Sequence, residues 1–198
     1  MNKALIKESL QKALSYSEYR AHLKNTLLVK SSHELENDAL LGYTLLNDKR
    51  MDRLDKTIKL SKETTNSVQN LANPFTFLVI AEGWCGDAAQ IVPILNKIAA
   101  SSSNINLKIV FRDENEELMN QFLTNGNKSI PKVIIVDANN EVINSWGPRP
   151  SIATKMVLDY KEQYGVIDAE FKKDLQLWYN KDKGTNTQKD ILKLLKAS

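Results

Sequence analysis

Cysteine is nearly absent. Cys85 is the only one in 198 residues, which excludes an intramolecular disulfide and suits a reducing compartment. Glycine is scarce, with 7 residues and no Gly-rich loop to cradle phosphates, so nucleotide binding has no support. The two histidines, His22 and His33, lie far in sequence from Cys85. No Cys/His/Asp/Glu set has metal-ligand spacing, and neither a metal nor another cofactor is implied. No run approaches the ~18 apolar residues of a membrane span. Met1-Asn2-Lys3-Ala4 leads into a polar, amphipathic pattern without the apolar core of a secretory leader. The expectation is a cytoplasmic protein. A formal net charge of +3, with acids and bases interspersed and no basic patch interleaved with aromatics, argues against a nucleic-acid partner.

What is present centres on Ala81-Glu82-Gly83-Trp84-Cys85-Gly86-Asp87-Ala88, where an apolar run gives way to a helical pattern. Upstream, Phe75-Thr76-Phe77-Leu78-Val79-Ile80 is short, apolar and β-branched, the composition of a strand buried on both faces. Downstream, Ala88, Ile91, Val92, Leu95, Ile98 and Ala99 recur at spacings of three and four, which predicts one apolar helical face. Cys85 then sits at or just before the first helical turn, where unpaired backbone N–H groups and the helix dipole favour a thiolate.

Trp84-Cys85-Gly86-Asp87-Ala88 resembles the W-C-G-P-C redox motif of the thioredoxin-like superfamily. Pro93 falls where that family kinks its active-site helix, and Ser129-Ile130-Pro131 precedes the apolar run Val133-Ile134-Ile135-Val136, as a cis-proline does in the family. The resemblance implies an α/β thioredoxin-like fold, a central mixed sheet of about four strands flanked by helices. It also implies a groove, shaped by Trp84, Gly86, Ile130, Pro131 and Gly147, that receives an extended substrate. The chain departs from the motif in three places. Ala88 replaces the second cysteine, Asp87 replaces the proline before it and opposes a thiolate through like-charge repulsion, and Val79 stands where an acid is often buried. The nearest resemblance is to bacterial WCGD-type proteins that lack the second cysteine.

The thioredoxin-like core is assigned to residues 70–160, with a helical extension over 1–69 and further helices over 161–198. Strands are predicted at 75–81, 105–111, 132–137 and 141–146, with Asp137-Ala138-Asn139-Asn140 turning between the last two, and helices near 87–100 and 114–124. In the N-terminal part, residues 1–30 read as two helices. Ser32 caps a third, with Glu34 and Glu36 in its first turn and Leu35, Leu40, Leu41 and Leu45 apolar. Asn47 or Asp48 caps a fourth that turns Met51, Leu54 and Ile58 inward and continues towards Leu71. After the core, Ile152, Met156, Val157 and Tyr160, then Phe171, Leu175 and Trp178, mark helical faces. Asn180–Thr187 reads as a polar loop before a helix at 188–196. The N-terminal stripes either cover the sheet or form a docking platform.

Each candidate residue has two readings. Cys85 is a nucleophile or core packing; Trp84 is a groove wall or a core aromatic. Asp87 accepts a proton during exchange or simply faces the helix dipole. Arg149, between Pro148 and Pro150, places its guanidinium near the thiolate or near a carboxylate of a small thiol such as glutathione, or else faces solvent. The function the resemblance implies is thiol–disulfide exchange through Cys85 alone, on a protein disulfide or low-molecular-weight thiol, resolved by an external thiol. Two alternatives remain: a non-catalytic binding or scaffold protein, and a redox sensor in which two chains join through Cys85 as a homodimer.

Overall fold

The computed structural model describes residues 3–30 and 32–196. Among these, the helices α1 (Lys3–Lys12), α2 (Tyr16–Leu28), α3 (Ser32–Asn37), α4 (Ala39–Thr57) and α5 (Lys62–Gln69) precede the sheet. The central run is β1 (Phe75–Ala81), α6 (Gly86–Ala99), β2 (Ile105–Phe111), α7 (Glu116–Gln121), β3 (Lys132–Asp137) and β4 (Val142–Trp146). The helices α8 (Ser151–Tyr164), α9 (Ala169–Asp182) and α10 (Thr185–Lys196) follow. The strands form one mixed sheet in the order β2-β1-β3-β4, with β1 parallel to β2 and antiparallel to β3. This is the α/β architecture expected, with helical segments at both ends.

β1 is covered on both faces, as its uninterrupted apolar sequence requires: Phe77, Leu78, Val79, Ile80 and Ala81 are fully buried. Val79 aligns with Ile109 of β2 on one side and Val133 of β3 on the other. The β3–β4 hairpin turns where expected, with Asp137 Oδ1 accepting from the N–H groups of Asn139 and Glu141 and Asn140 at φ 60°. The open edge of β2 is met by the chain between α1 and α2, where Leu14 and Ile109 exchange two backbone hydrogen bonds of 2.8 Å. That bridge covers the middle of the strand edge.

Three sequence expectations are corrected. First, Asn47 and Asp48 are not helix caps. They lie inside α4, which Asp38 caps by accepting from the N–H groups of Leu40 and Leu41. The stretch towards Leu71 breaks at Ile58, and α5 restarts under a Ser61 cap. Second, Leu40 is exposed, and α4 turns the polar Thr44 and Asn47 inward beside the expected Met51 and Ile58, with Asn47 donating to the Gly83 carbonyl. Third, the segment 180–187 is not a loop. α9 runs to Asp182, whose carboxylate accepts from the Asn186 N–H and so caps α10. In addition, α7 is shorter than the 114–124 expected. The side chains of Ser32, Leu35 and Glu36 lie outside the described residues.

α6 buries nearly its whole circumference rather than a single face, with Ala89, Gln90 and Ile94 enclosed as well as the predicted stripe. The terminal helices cause this: α4, α5 and α10 all pack against α6. Charge fixes the N-terminal pair. Asp48, Asp52 and Asp55 share one face of α4 through their spacing, and the largely buried Arg20 of α2 reaches all three at 2.7, 2.8 and 2.7 Å. Replacing Arg20 by Met should strand these carboxylates and destabilise the fold by roughly 2–4 kcal/mol, read from urea unfolding. An unchanged midpoint would mean that the network is only a solvated surface feature.

Candidate functional site

Cys85 is the N-cap of α6, with extended backbone angles and its Sγ accepting from the Ala88 N–H at 3.5 Å. The same thiol donates to the carbonyl of Ile130 at 3.4 Å, and the Ile130–Pro131 peptide bond is cis. Fold topology therefore brings Cys85, Ile130 and Pro131 together from segments 45 residues apart. Gly147 completes the approach from β4: it sits at φ 118°, and a Cβ there would fall 2.2 Å from the Pro131 carbonyl oxygen. Only glycine lets the two backbones come this close.

The thiol is sheltered rather than accessible. Cys85 is 9% exposed, and both Ile130 and Pro131 are buried. Burial pushes its pKa up from 9.0 to about 12, the charge of Asp87 adds to this, and the N–H groups of Ala88 and Asp87 oppose it. The tension between Asp87 and the helix terminus thus resolves towards the protonated thiol, with desolvation as the largest cause.

Asp87 is buried and fully engaged. Its Oδ2 lies 2.6 Å from the Arg149 guanidinium, and its Oδ1 accepts from the Tyr179 hydroxyl at 2.9 Å. Burial raises the carboxyl above its ordinary range, although Arg149 and Tyr179 both favour the charged form. Arg149 therefore meets a carboxylate of its own chain rather than solvent, and its buried Nε has no hydrogen-bond partner. Trp84 is half-buried, with the Arg112 guanidinium 4.8 Å from its ring centroid. His22 and His33 are exposed, and His22 packs against the Phe111 ring.

Several residues at the site carried no signal in the motif. Asn47 of α4, fully buried, donates to the Gly83 carbonyl at 2.8 Å and accepts from Arg50. From the other side, α9 supplies Tyr179 and, one turn earlier, Gln176, which accepts from Gln90 at 2.8 Å. Tyr179 stands 92 residues from Asp87, and nothing local in the sequence links them. Glu82 lies within the motif, yet only the structure shows its carboxyl buried and accepting from the Asp113 N–H.

Replacing Asp87 by Asn keeps an acceptor for Arg149 and Tyr179 but removes the negative charge. The Cys85 pKa should fall, and alkylation followed by mass spectrometry should speed up at any fixed pH below it; an unshifted pH profile would refute the charge coupling. Because the folded-state pKa is raised, the native state holds its proton more tightly than the unfolded chain. The associated stability is full below about 9 and is lost as pH rises towards about 12. Chemical denaturation across that window should fall more steeply for the native sequence than for Cys85→Ser.

The family model described as Thioredoxin matches residues 35–169, a span that takes in α4, α5 and the whole sheet. No curated protein matches the chain. Among solved structures, the 1.5 Å crystal structure of a protein of unknown function from Pseudomonas aeruginosa aligns with a TM-score of 0.65 at 19% identity, covering 96% of each chain. An HIV epitope-scaffold aligns with a TM-score of 0.64 at 19% identity, over 97% of this chain and 98% of that one. At this identity the likeness is one of fold, and it extends through the helical segments at both ends. With the model matching well over half of its length, the chain belongs to the thioredoxin family.

Proposed function

We propose that this protein performs thiol–disulfide exchange through Cys85 alone, as a WCGD-type member of its family without a second active-site cysteine. The observation that carries the reading is the placement of the single thiol. It sits at the N-cap of α6, against the carbonyl of Ile130 and beside Pro131. With Ala88 in place of the second cysteine, the site cannot close an internal disulfide. In the proposed reaction the Cys85 thiol loses its proton to solvent and its sulfur attacks one sulfur of a protein disulfide or a glutathionylated cysteine. A Cys85–substrate disulfide forms, the original S–S bond breaks, and the leaving thiolate takes up a proton. An external low-molecular-weight thiolate then attacks the mixed disulfide and returns Cys85 to its reduced form. The sheltered resting thiol makes exchange dependent on local opening that exposes Sγ.

A second reading has its own support. A thiol that is 9% exposed and shifted to about 12 suits a binding module that keeps the fold without turnover. The two readings separate cleanly. Incubated with a glutathionylated peptide, the native sequence should give a mixed disulfide by mass spectrometry and Cys85→Ser none. Absence of the adduct in the native sequence, with partner capture that survives Cys85→Ser but weakens in Trp84→Ala, would establish the binding module instead.

A further inference from the structure

We propose that Arg50 and the side-chain amide of Gln176 form an anion subsite beside Cys85, which takes a carboxylate carried by the disulfide substrate. This deepens the exchange reading and rests on it, since it names a charge the substrate must bear. The two groups come from different helices, Arg50 from α4 and Gln176 from α9. They converge on Gly86, the residue after Cys85: a Cβ there would lie 3.6 Å from Arg50 Nη1 and 3.3 Å from Gln176 Nε2. Gly86 is only half-buried, so solvent reaches this point.

Arg50 lacks a countercharge. Its half-buried guanidinium donates to the neutral Asn47 Oδ1 at 2.8 Å, and no carboxylate pairs with it among the described residues. The acids of its own helix are engaged elsewhere, since Asp48, Asp52 and Asp55 all pair with Arg20. Asp87 is held by Arg149 and Tyr179, which also removes Arg149 as the receptor for a substrate carboxylate. The charge that acts on Arg50 is instead a second cation: burial lowers its pKa, and Arg53, one turn along α4, lowers it further. A bound carboxylate relieves both effects.

Buried amides fix both donors. Asn47, fully buried, donates to the Gly83 carbonyl and turns its own oxygen to Arg50. Gln90, 2% exposed, donates to the Gln176 oxygen at 2.8 Å. That leaves the Gln176 NH2 facing Gly86, with no hydrogen bond to it among the described residues. A guanidinium fork and an amide NH2, both pre-organised, match the oxygens of a carboxylate. The anion takes no part in bond making. It holds the disulfide at the start of α6 for attack by Cys85.

The test follows Cys85 in the full-length protein against two chromogenic disulfides, the dianionic dithiobis(nitrobenzoate) and the neutral dipyridyl disulfide, with each rate divided by that of free cysteine. The native sequence should favour the anionic reagent at least about tenfold, and Arg50→Gln should cut that preference roughly three- to tenfold while sparing the neutral reagent. Arg50→Lys, which keeps the charge, should retain part of it. Raising salt from about 0.05 to 0.3 M should slow the anionic reaction alone. Should Arg50→Gln fail to fold, Gln176→Glu, which places a negative charge at the same point, still has to slow the anionic reagent selectively. Equal treatment of the two reagents by the native sequence, or an Arg50→Gln effect shared equally between them, overturns the subsite and leaves exchange standing.

Oxidised glutathione and a disulfide-activated peptide with Glu beside its cysteine then identify the bearer of the carboxylate. A rate lost in Arg50→Gln with the first assigns a small thiol, with the second an acidic polypeptide, and with neither overturns the proposal. If no disulfide reacts at all, calorimetry with S-methylglutathione decides. Binding to the native sequence that is lost in Arg50→Gln keeps the subsite and removes exchange, whereas no binding removes both.

Discussion

The buried carboxylate of Asp87 is the constraint on which the site depends. An isolated charge in such a position costs several kcal/mol, so both of its oxygens must be satisfied, and the two partners come from opposite directions. Arg149 arrives from the turn after β4, and Tyr179 from α9. Each brings its element with it. The backbone around Gly147 is drawn against Pro131, and α9 is laid over the start of α6, with Gln176 closing on Gly86. The C-terminal helices are thereby tied to the same two turns of chain that hold the thiol.

That enclosure decides the chemistry of Cys85. The helix N-terminus favours a thiolate by up to about 2 kcal/mol in favourable partly buried settings. Moving the pKa from 9.0 to about 12 corresponds to roughly 4 kcal/mol between the protonation states in the opposite sense. Burial, helped by the Asp87 charge, therefore outweighs the cap. The resting site holds a neutral thiol hydrogen-bonded to Ile130, and its reactivity depends both on exposing that sulfur and on its raised pKa.

Much of the core was legible in the sequence because its signals are local. The unbroken apolar run of β1, the change of period at Cys85 and the turn chemistry of Asp137–Asn140 each announce an element without reference to anything distant. The residues 75–81, 105–111 and 132–137 fold as the strands expected. The terminal helices were harder to read because their packing surfaces are partly polar. α4 turns Asn47 inward to meet the Gly83 carbonyl, so its leucines do not mark its buried face. The segment 180–187 is polar for a different reason: its side chains and its Asp182 cap serve the start of α10. Tyr179 was invisible because its role exists only through a contact with Asp87 across most of the core.

The small residues of the motif connect these two levels. A Cβ at Gly83 would lie 2.5 Å from Leu23 Cδ2 and 3.1 Å from Thr44 Cγ2, contacts made by α2 and α4. At Gly86 it would meet Gln176 of α9 at 3.3 Å. The glycines flanking Trp84-Cys85 are therefore fitted to helices outside the sheet as well as to the turn they occupy. The N-terminal helices press on the first of them yet leave an open cleft beside Trp84, and both Gln176 of α9 and Arg50 of α4 lie over the second. The motif is thus held from both ends of the chain, by α2 and α4 at Gly83 and by α4 and α9 together at Gly86.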